Sequence, residues 1–249
     1  MCELFGYSSD NRKAINRELR VFFSHSTEHP HGWGLAVIDE DDSILEKQSI
    51  IAKDSLYLKN RLSEPVYANA ALAHIRFATV GVPERKNTHP FVRKDKNGKR
   101  WILIHNGTLF EENVTRQYID VQNGDTDSER ILLYLIDRIN HADTDDEFSV
   151  VEEVIAELAP HNKLNLIIYN GDYLFVHSNL RNTLHTLNRP GEVFISTSAL
   201  TDYDWQPLPI NTLFAYKDGT LVRQGKDHGH EHIPDPEKIK ELYWAFSHL

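Results

Sequence analysis

The residue best suited to chemistry is Cys2, the only cysteine among 249 residues. A lone thiol cannot form an intramolecular disulfide, so it serves either as a small buried hydrophobe or as a nucleophile. Three further segments carry reactive or recognition groups. His74-Ile75-Arg76-Phe77-Ala78-Thr79 puts a guanidinium at the end of an apolar run, His105-Asn106-Gly107 an amide beside a permissive backbone, and Asp125-Thr126-Asp127-Ser128-Glu129 three carboxylates at a helix start. Singly, each has a plain structural use. Arg76 suits an ion pair at a strand end, Asn106-Gly107 suits a turn, and Asp127 suits the positive end of a helix. All four segments in one chain are harder to dismiss.

The elements that must position these residues follow from periodicity. Cys2–Ser8 reads as a first strand, and Ile15, Leu19, Phe22 and Phe23 predict a helix over Asn11–Phe23. The breaker cluster 29–34 precedes strands at Leu35–Ile38 and Ile44–Ala52, and Asp54–Leu62 reads as helical. Ala70–Phe77 and Trp101–His105 read as buried strands. Asp127–Ile139 is a helix with Thr126 and Glu129 at capping-box spacing, and Glu147–Leu158 is another. Leu164–Tyr169 and Tyr173–His177 flank Asn170-Gly171, a hairpin turn, and Glu192–Thr197 and Leu213–Tyr216 continue as strands before Asp218-Gly219. A terminal helix begins at Asp235-Pro236. Strands, then helices, then strands again predict an α+β fold, mostly antiparallel, in one domain over residues 1–249.

Composition narrows the function. With 40% hydrophobic and 26% charged residues the chain reads as an ordinary soluble protein. A net charge of −10 argues against nucleic acid and against an anionic membrane as partners. The absence of a signal-like N-terminus and the single thiol predict a cytoplasmic protein.

The ordered set MCELFGYS, GWGLAV, AHIRFATVG, NTHPF, HNGTL, TDSE and STSALTDYDWQPLP resembles the class II glutamine amidotransferases, specifically their small stand-alone branch, over nearly the whole chain. The resemblance implies a four-layer αββα sandwich, two antiparallel sheets between helical layers, and N-terminal-nucleophile chemistry. Cys2, freed by removal of Met1, would attack a γ-glutamyl amide with its own α-amine as base. An α-amine at ~8 and a thiol at ~8.5 exchange a proton at little cost. Asn106 and the Gly107 N–H would form the oxyanion hole, Arg76 would take the substrate carboxylate and Asp127 its ammonium. Phe77 and Thr79 would belong to a lid spanning 77–83. Val80 replaces the histidine that better-known synthases carry after the lid threonine. The chain also ends at Leu249 without a synthase half, so a separate synthase subunit is a candidate partner in the version where ammonia is passed on.

Two substrates fit these roles, glutamine or a larger γ-glutamyl conjugate, and a non-catalytic γ-glutamyl-binding subunit is the rival reading. Trp33 between two glycines reads as packing. The histidines at 25, 29 and 31 and the run Asp227–His232 invite a metal, but they lack defined ligand spacing; the run is expected to be exposed. No metal is expected, and with no phosphate-binding loop, no nucleotide cofactor.

Overall fold

The computed structural model describes residues 2–39 and 42–246. In chain order the elements are β1 (Glu3–Ala14), α1 (Asn16–Ser24), β2 (Trp33–Asp39), β3 (Asp42–Gln48), α2 (Leu56–Ser63), β4 (Tyr67–Ile75), β5 (Phe91–Lys94) and β6 (Arg100–His105). They continue with α3 (Asp127–His141), α4 (Glu147–Leu158), β7 (Leu166–Tyr169), β8 (Leu174–Ser178), β9 (His185–Arg189), β10 (Glu192–Ser196), β11 (Gln206–Pro207), β12 (Thr212–Lys217), β13 (Thr220–Gln224) and α5 (Pro236–Phe246). One antiparallel sheet has the order β11-β9-β10-β1-β4-β2-β3, the other β13-β12-β8-β7-β6-β5.

Period-two alternation builds the layers. Leu4 and Leu72 point between the sheets with Ile102, Ile104, Val176 and Ile195. Their neighbours Phe5, Tyr7, Ala71 and Ala73 point the other way, onto Leu19 and Phe22 of α1 and Leu58 of α2. Trp101, Leu103 and Phe175 face out of the second sheet onto Ile131 and Leu135 of α3 and Val151 and Ile155 of α4. Three apolar layers therefore separate four structural layers, the αββα arrangement expected. A buried side chain of this size stabilises by roughly 1.5–3 kcal/mol, so a strand slipped by one residue would forfeit a whole face. Trp33 is fully buried and edge-on to Phe23, a core position.

Several local expectations need correction. Residues 11–14 are not helical: β1 passes through an irregularity after Ser8 and pairs Lys13 with Ala68 and Ala14 with Tyr67. The helix begins only at Asn16. The strand expected over Ile44–Ala52 ends at Gln48, and Ala52–Asp54 is a 3-10 turn leading to α2, capped by Ser55. The capping box at α3 is half formed: Thr126 Oγ1 accepts from Glu129 N at 3.3 Å, but the Glu129 carboxylate accepts instead from Asn123 N and Gly124 N. The expected terminal helix is described from Pro236 to Phe246, and residues 247–249 lie outside the described residues. Among the described residues no helix is long and apolar enough to cross a membrane.

Candidate active site

The register of β1 on β4 sets the position of Cys2. Glu3 pairs with Ile75, so Cys2 lies beside the backbone just beyond the end of β4. Its Sγ sits 3.3 Å from both Phe77 N and Phe77 O, accepting from the first and donating to the second. Burial pushes the Cys2 thiol up from its ordinary pKa, while the Phe77 N–H, Arg76 and Lys163 pull it down. Met1, whose removal the nucleophile reading needs, lies outside the described residues.

Arg76 is buried, and its guanidinium grips the loop that follows. Nη1 donates to Val82 O at 3.0 Å, and Nη2 donates to Val80 O and Gly81 O, each at 2.8 Å. Among the described residues these bonds use three of its five N–H donors. Asn87, fully buried, ties the same loop to the entry of α3. Its Nδ2 donates to Val82 O at 3.0 Å, and its Oδ1 accepts from Asp125 N at 3.0 Å. A side chain at Gly124 would meet that Oδ1 at 2.2 Å, so the loop before α3 can lie against Asn87 only because position 124 has none. Phe77 and Thr79 are half-buried on this stretch. His31 packs on the Phe77 ring at 5.4 Å and accepts from Ala78 N through Nδ1 at 2.9 Å.

Asp127, the first residue of α3, is buried and accepts from Leu109 N and Ser128 N, both at 2.8 Å. Ser128 Oγ also lies 3.3 Å from Oδ1, so it is Oδ2 that keeps a further lone pair. Arg76 feels the charge of both Asp125 and Asp127, so a cation and two carboxylates lie within electrostatic reach of one another.

The Asn106-Gly107 turn leaves the end of β6 in the other sheet. His74 Nε2 meets His105 O at 3.2 Å and so bridges the two sheets beneath it. The turn is held by the segment entering β7. Asn106 N donates to Asn165 O at 2.9 Å, and Thr108 and Lys163 exchange backbone bonds at 3.1 Å. His105 Nε2–H donates to Lys163 O at 3.1 Å, which leaves Nδ1 to accept from the Ser128 hydroxyl at 2.9 Å. A Cβ at Gly107 would fall 1.9 Å from Lys163 O and 2.2 Å from His105 Nε2, so only glycine fits. Lys163 Nζ is buried and donates to Asn106 Oδ1 at 3.1 Å. Burial lowers its pKa to about 8, against the pull of Cys2. Neither Asn106 Nδ2 nor the Gly107 N–H donates to a described residue.

Sequence reasoning did not single out Lys163 or Asn87 as site residues. The available signal was a lysine at the entry of the apolar run Leu164–Tyr169, and an asparagine within NTHPF. The histidine groups have other uses. His25 meets Glu3 at 2.9 Å and His29 Nδ1 meets His25 O at 2.9 Å. The run Asp227–His232 is largely exposed, as expected, with His228 and His232 half-buried. His228 meets His177 at 3.0 Å, and His232 N donates to Asn179 O at 2.7 Å. Among the described residues, no three His, Cys, Asp or Glu side chains converge as metal ligands would.

Residues 1–192 match the family model described as class II glutamine amidotransferases. An uncharacterized protein of Methanocaldococcus jannaschii is 28% identical, over 91% of this chain and 72% of its own length. YafJ of Escherichia coli, provisionally named a glutamine amidotransferase, is 26% identical over 82% of each chain. Among solved structures, the Bacillus subtilis glutamine phosphoribosylpyrophosphate amidotransferase superposes with a TM-score of 0.69 at 16% identity, over 92% of this chain but 49% of that one. A Pseudomonas aeruginosa protein solved as a glutamine amidotransferase by prediction gives 0.66 at 20% identity, over 89% of this chain and 100% of that one. Likenesses at such identities bear on the fold alone, a sandwich of two antiparallel sheets.

Proposed function

Because the chain belongs to the class II glutamine amidotransferases, we propose that it cleaves the γ-glutamyl amide of glutamine, or of a γ-glutamyl conjugate, through a Cys2 thioester. The observation that carries this reading is that Lys163 Nζ, bonded to Asn106 Oδ1 at the end of one sheet, also feels the charge of the Cys2 thiol at the end of the other.

In this proposal Met1 is removed, and the freed amine of Cys2 takes the thiol proton. The thiolate attacks the amide carbon, and Asn106 Nδ2 and the Gly107 N–H receive the oxyanion. Collapse breaks the C–N bond and expels ammonia or an amine, which carries away the proton. Water then attacks the thioester and releases glutamate. The remaining N–H groups of Arg76 hold the substrate carboxylate and Asp127 holds its ammonium, with Phe77 and Thr79 on the loop that covers them. If glutamine is the substrate, a separate synthase subunit is the natural acceptor of the ammonia. The proposal places this activity in a single domain and in the cytoplasm, where a lone thiol stays reduced.

The test uses purified protein whose N-terminus has been verified by intact mass, assayed for glutamate release from glutamine and a panel of γ-glutamyl compounds. Release that needs Cys2 and a free Cys2 amine supports the reading. Matured protein that binds these compounds yet releases nothing would instead be a γ-glutamyl-binding subunit.

A further inference from the structure

We propose that Lys163 is the positioning residue of the oxyanion hole: its ammonium holds the carboxamide oxygen of Asn106, which leaves Nδ2 turned toward the scissile carbonyl, and its charge lies beside the Cys2 thiol. This rests on the hydrolase reading above and deepens it.

An asparagine amide can present either end, and the two ends do opposite things to an oxyanion. Nδ2 donates to it; Oδ1 would repel it. An ammonium has three donors and no acceptor, so a lysine at 3.1 Å from Asn106 Oδ1 accepts only one of the two orientations. The backbone of Lys163 fixes the same turn independently. Its carbonyl receives both Thr108 N and His105 Nε2, and it lies where any side chain at 107 would have to go. One residue therefore constrains the Asn106 amide through its side chain and the Gly107 backbone through its main chain.

The charge is costly where it stands, which argues that it is used. Lys163 is 6% exposed, and burial depresses its pKa to about 8. Among the described residues, the titratable groups that face it include Cys2 just before β1, His105 from β6 and His232 from the segment before α5. Burial and Lys163 both lower the pKa of His232, whereas burial lowers that of His105 against the pull of Asp127. Both histidines therefore stay neutral near pH 7 and do not replace the lysine charge. Protonated Lys163 lowers the pKa of the thiol and supports negative charge on the oxyanion; above pH 8 that support is lost.

The experiment compares Lys163→Met and Lys163→Arg with the wild type. Lys163→Met should lower kcat by roughly 10–100-fold, less than loss of the donor itself, with KM within about twofold. Lys163→Arg, a charged donor, should recover part of that loss. Asn106→Ala should cost far less in the Lys163→Met background than in the wild type, because the two act as one unit. In the wild type kcat should fall as pH rises through about 8, and that fall should disappear in Lys163→Met. A rise in KM at unchanged kcat, or additive losses in the double variant, would overturn the proposal. A readout without turnover guards against failure of the hydrolase reading itself. Iodoacetamide alkylation of Cys2, followed by intact mass, should shift its midpoint to higher pH in Lys163→Met but not in Asn106→Ala. An unmoved midpoint in soluble, folded Lys163→Met also overturns it, whereas absent turnover with a shifted midpoint would count against the hydrolase reading alone.

Discussion

Cys2 and Phe77 are joined twice: the Phe77 N–H points at Sγ while its carbonyl receives the thiol proton, each at 3.3 Å. The proposed nucleophile is thus anchored to the first residue of the stretch expected to close over the substrate. Moving that stretch alters the thiol's own hydrogen bonds.

Cys2→Ala is therefore expected to abolish glutamate release while leaving the thermal midpoint close to wild type. Cys2 lies before β1, outside the three apolar layers, so its loss opens no core cavity. Turnover well above background in this variant would sink the nucleophile assignment.

The terminus makes a second demand. An N-terminal tag should inactivate the protein, because an amide at Cys2 N cannot accept a proton at neutral pH. The loss of a general base is ~10²–10⁴-fold. Glutamate release from tagged and proteolytically matured protein, each verified by mass, decides the matter. Full activity with the extension intact removes the α-amine from the mechanism.

Arg76→Ala should fail twice over. It removes a charge expected to hold the substrate carboxylate, about 2–5 kcal/mol in a desolvated site, and it releases the three carbonyls of Val80, Gly81 and Val82. KM should rise, and protease should cut the 80–83 loop faster than in wild type. Arg76→Lys should not restore it, since one ammonium cannot match a planar fork. Wild-type KM in either variant would contradict the carboxylate role.

Asn106→Ala is expected to behave differently, losing about 10²–10³-fold in kcat with little change in KM. Gly107→Ala should be worse, because its methyl would have to displace Lys163 O. Comparable KM effects in Asn106→Ala and Arg76→Ala would show that the two residues are not separated into transition-state and ground-state roles.

Stability should fall on the acid side of neutrality. Burial holds His74 and His89 well below the ordinary histidine range and His177 at about 3. Below pH ~6.5 the unfolded chain takes up protons that the folded chain refuses, so stability present above that pH is lost as pH falls. Each such group contributes up to ~1.4 kcal/mol per pH unit until its folded pKa is reached. Urea midpoints at pH 7.5 and 5.0 measure the effect, and His177→Asn should flatten it. A midpoint that does not drop by pH 5.0 would mean these imidazoles find proton acceptors when charged.

Much of this was legible in the chain. Helix α4 has the bounds its periodicity implied, and Asn170-Gly171 and Asp218-Gly219 mark the turns they suggested, each glycine at positive φ. What escaped was non-local. Residues 11–14 continue β1 because Tyr67 and Ala68 are there to pair with them, and nothing in their own pattern says so. Strands β5, β9 and β13 are short or polar, with register supplied by their neighbours. The same holds in the site. Cys2, Arg76, Asn106, Gly107 and Asp127 announce themselves through motifs, whereas Lys163 and Asn87 gain meaning only from what two sheets and a loop bring beside them.

The pairing of β1 has a consequence for the order of events during synthesis. This first strand is central in its sheet, bonded on one side to β4 and on the other to β10, where Phe5 faces Ser196. Its second edge stays unsatisfied until most of the chain has been made, and such distant closures are slow. The β4 side, which sets the place of Cys2, can thus pair long before the β10 side exists, and the strand must wait with one edge open until residues 192–196 have left the ribosome.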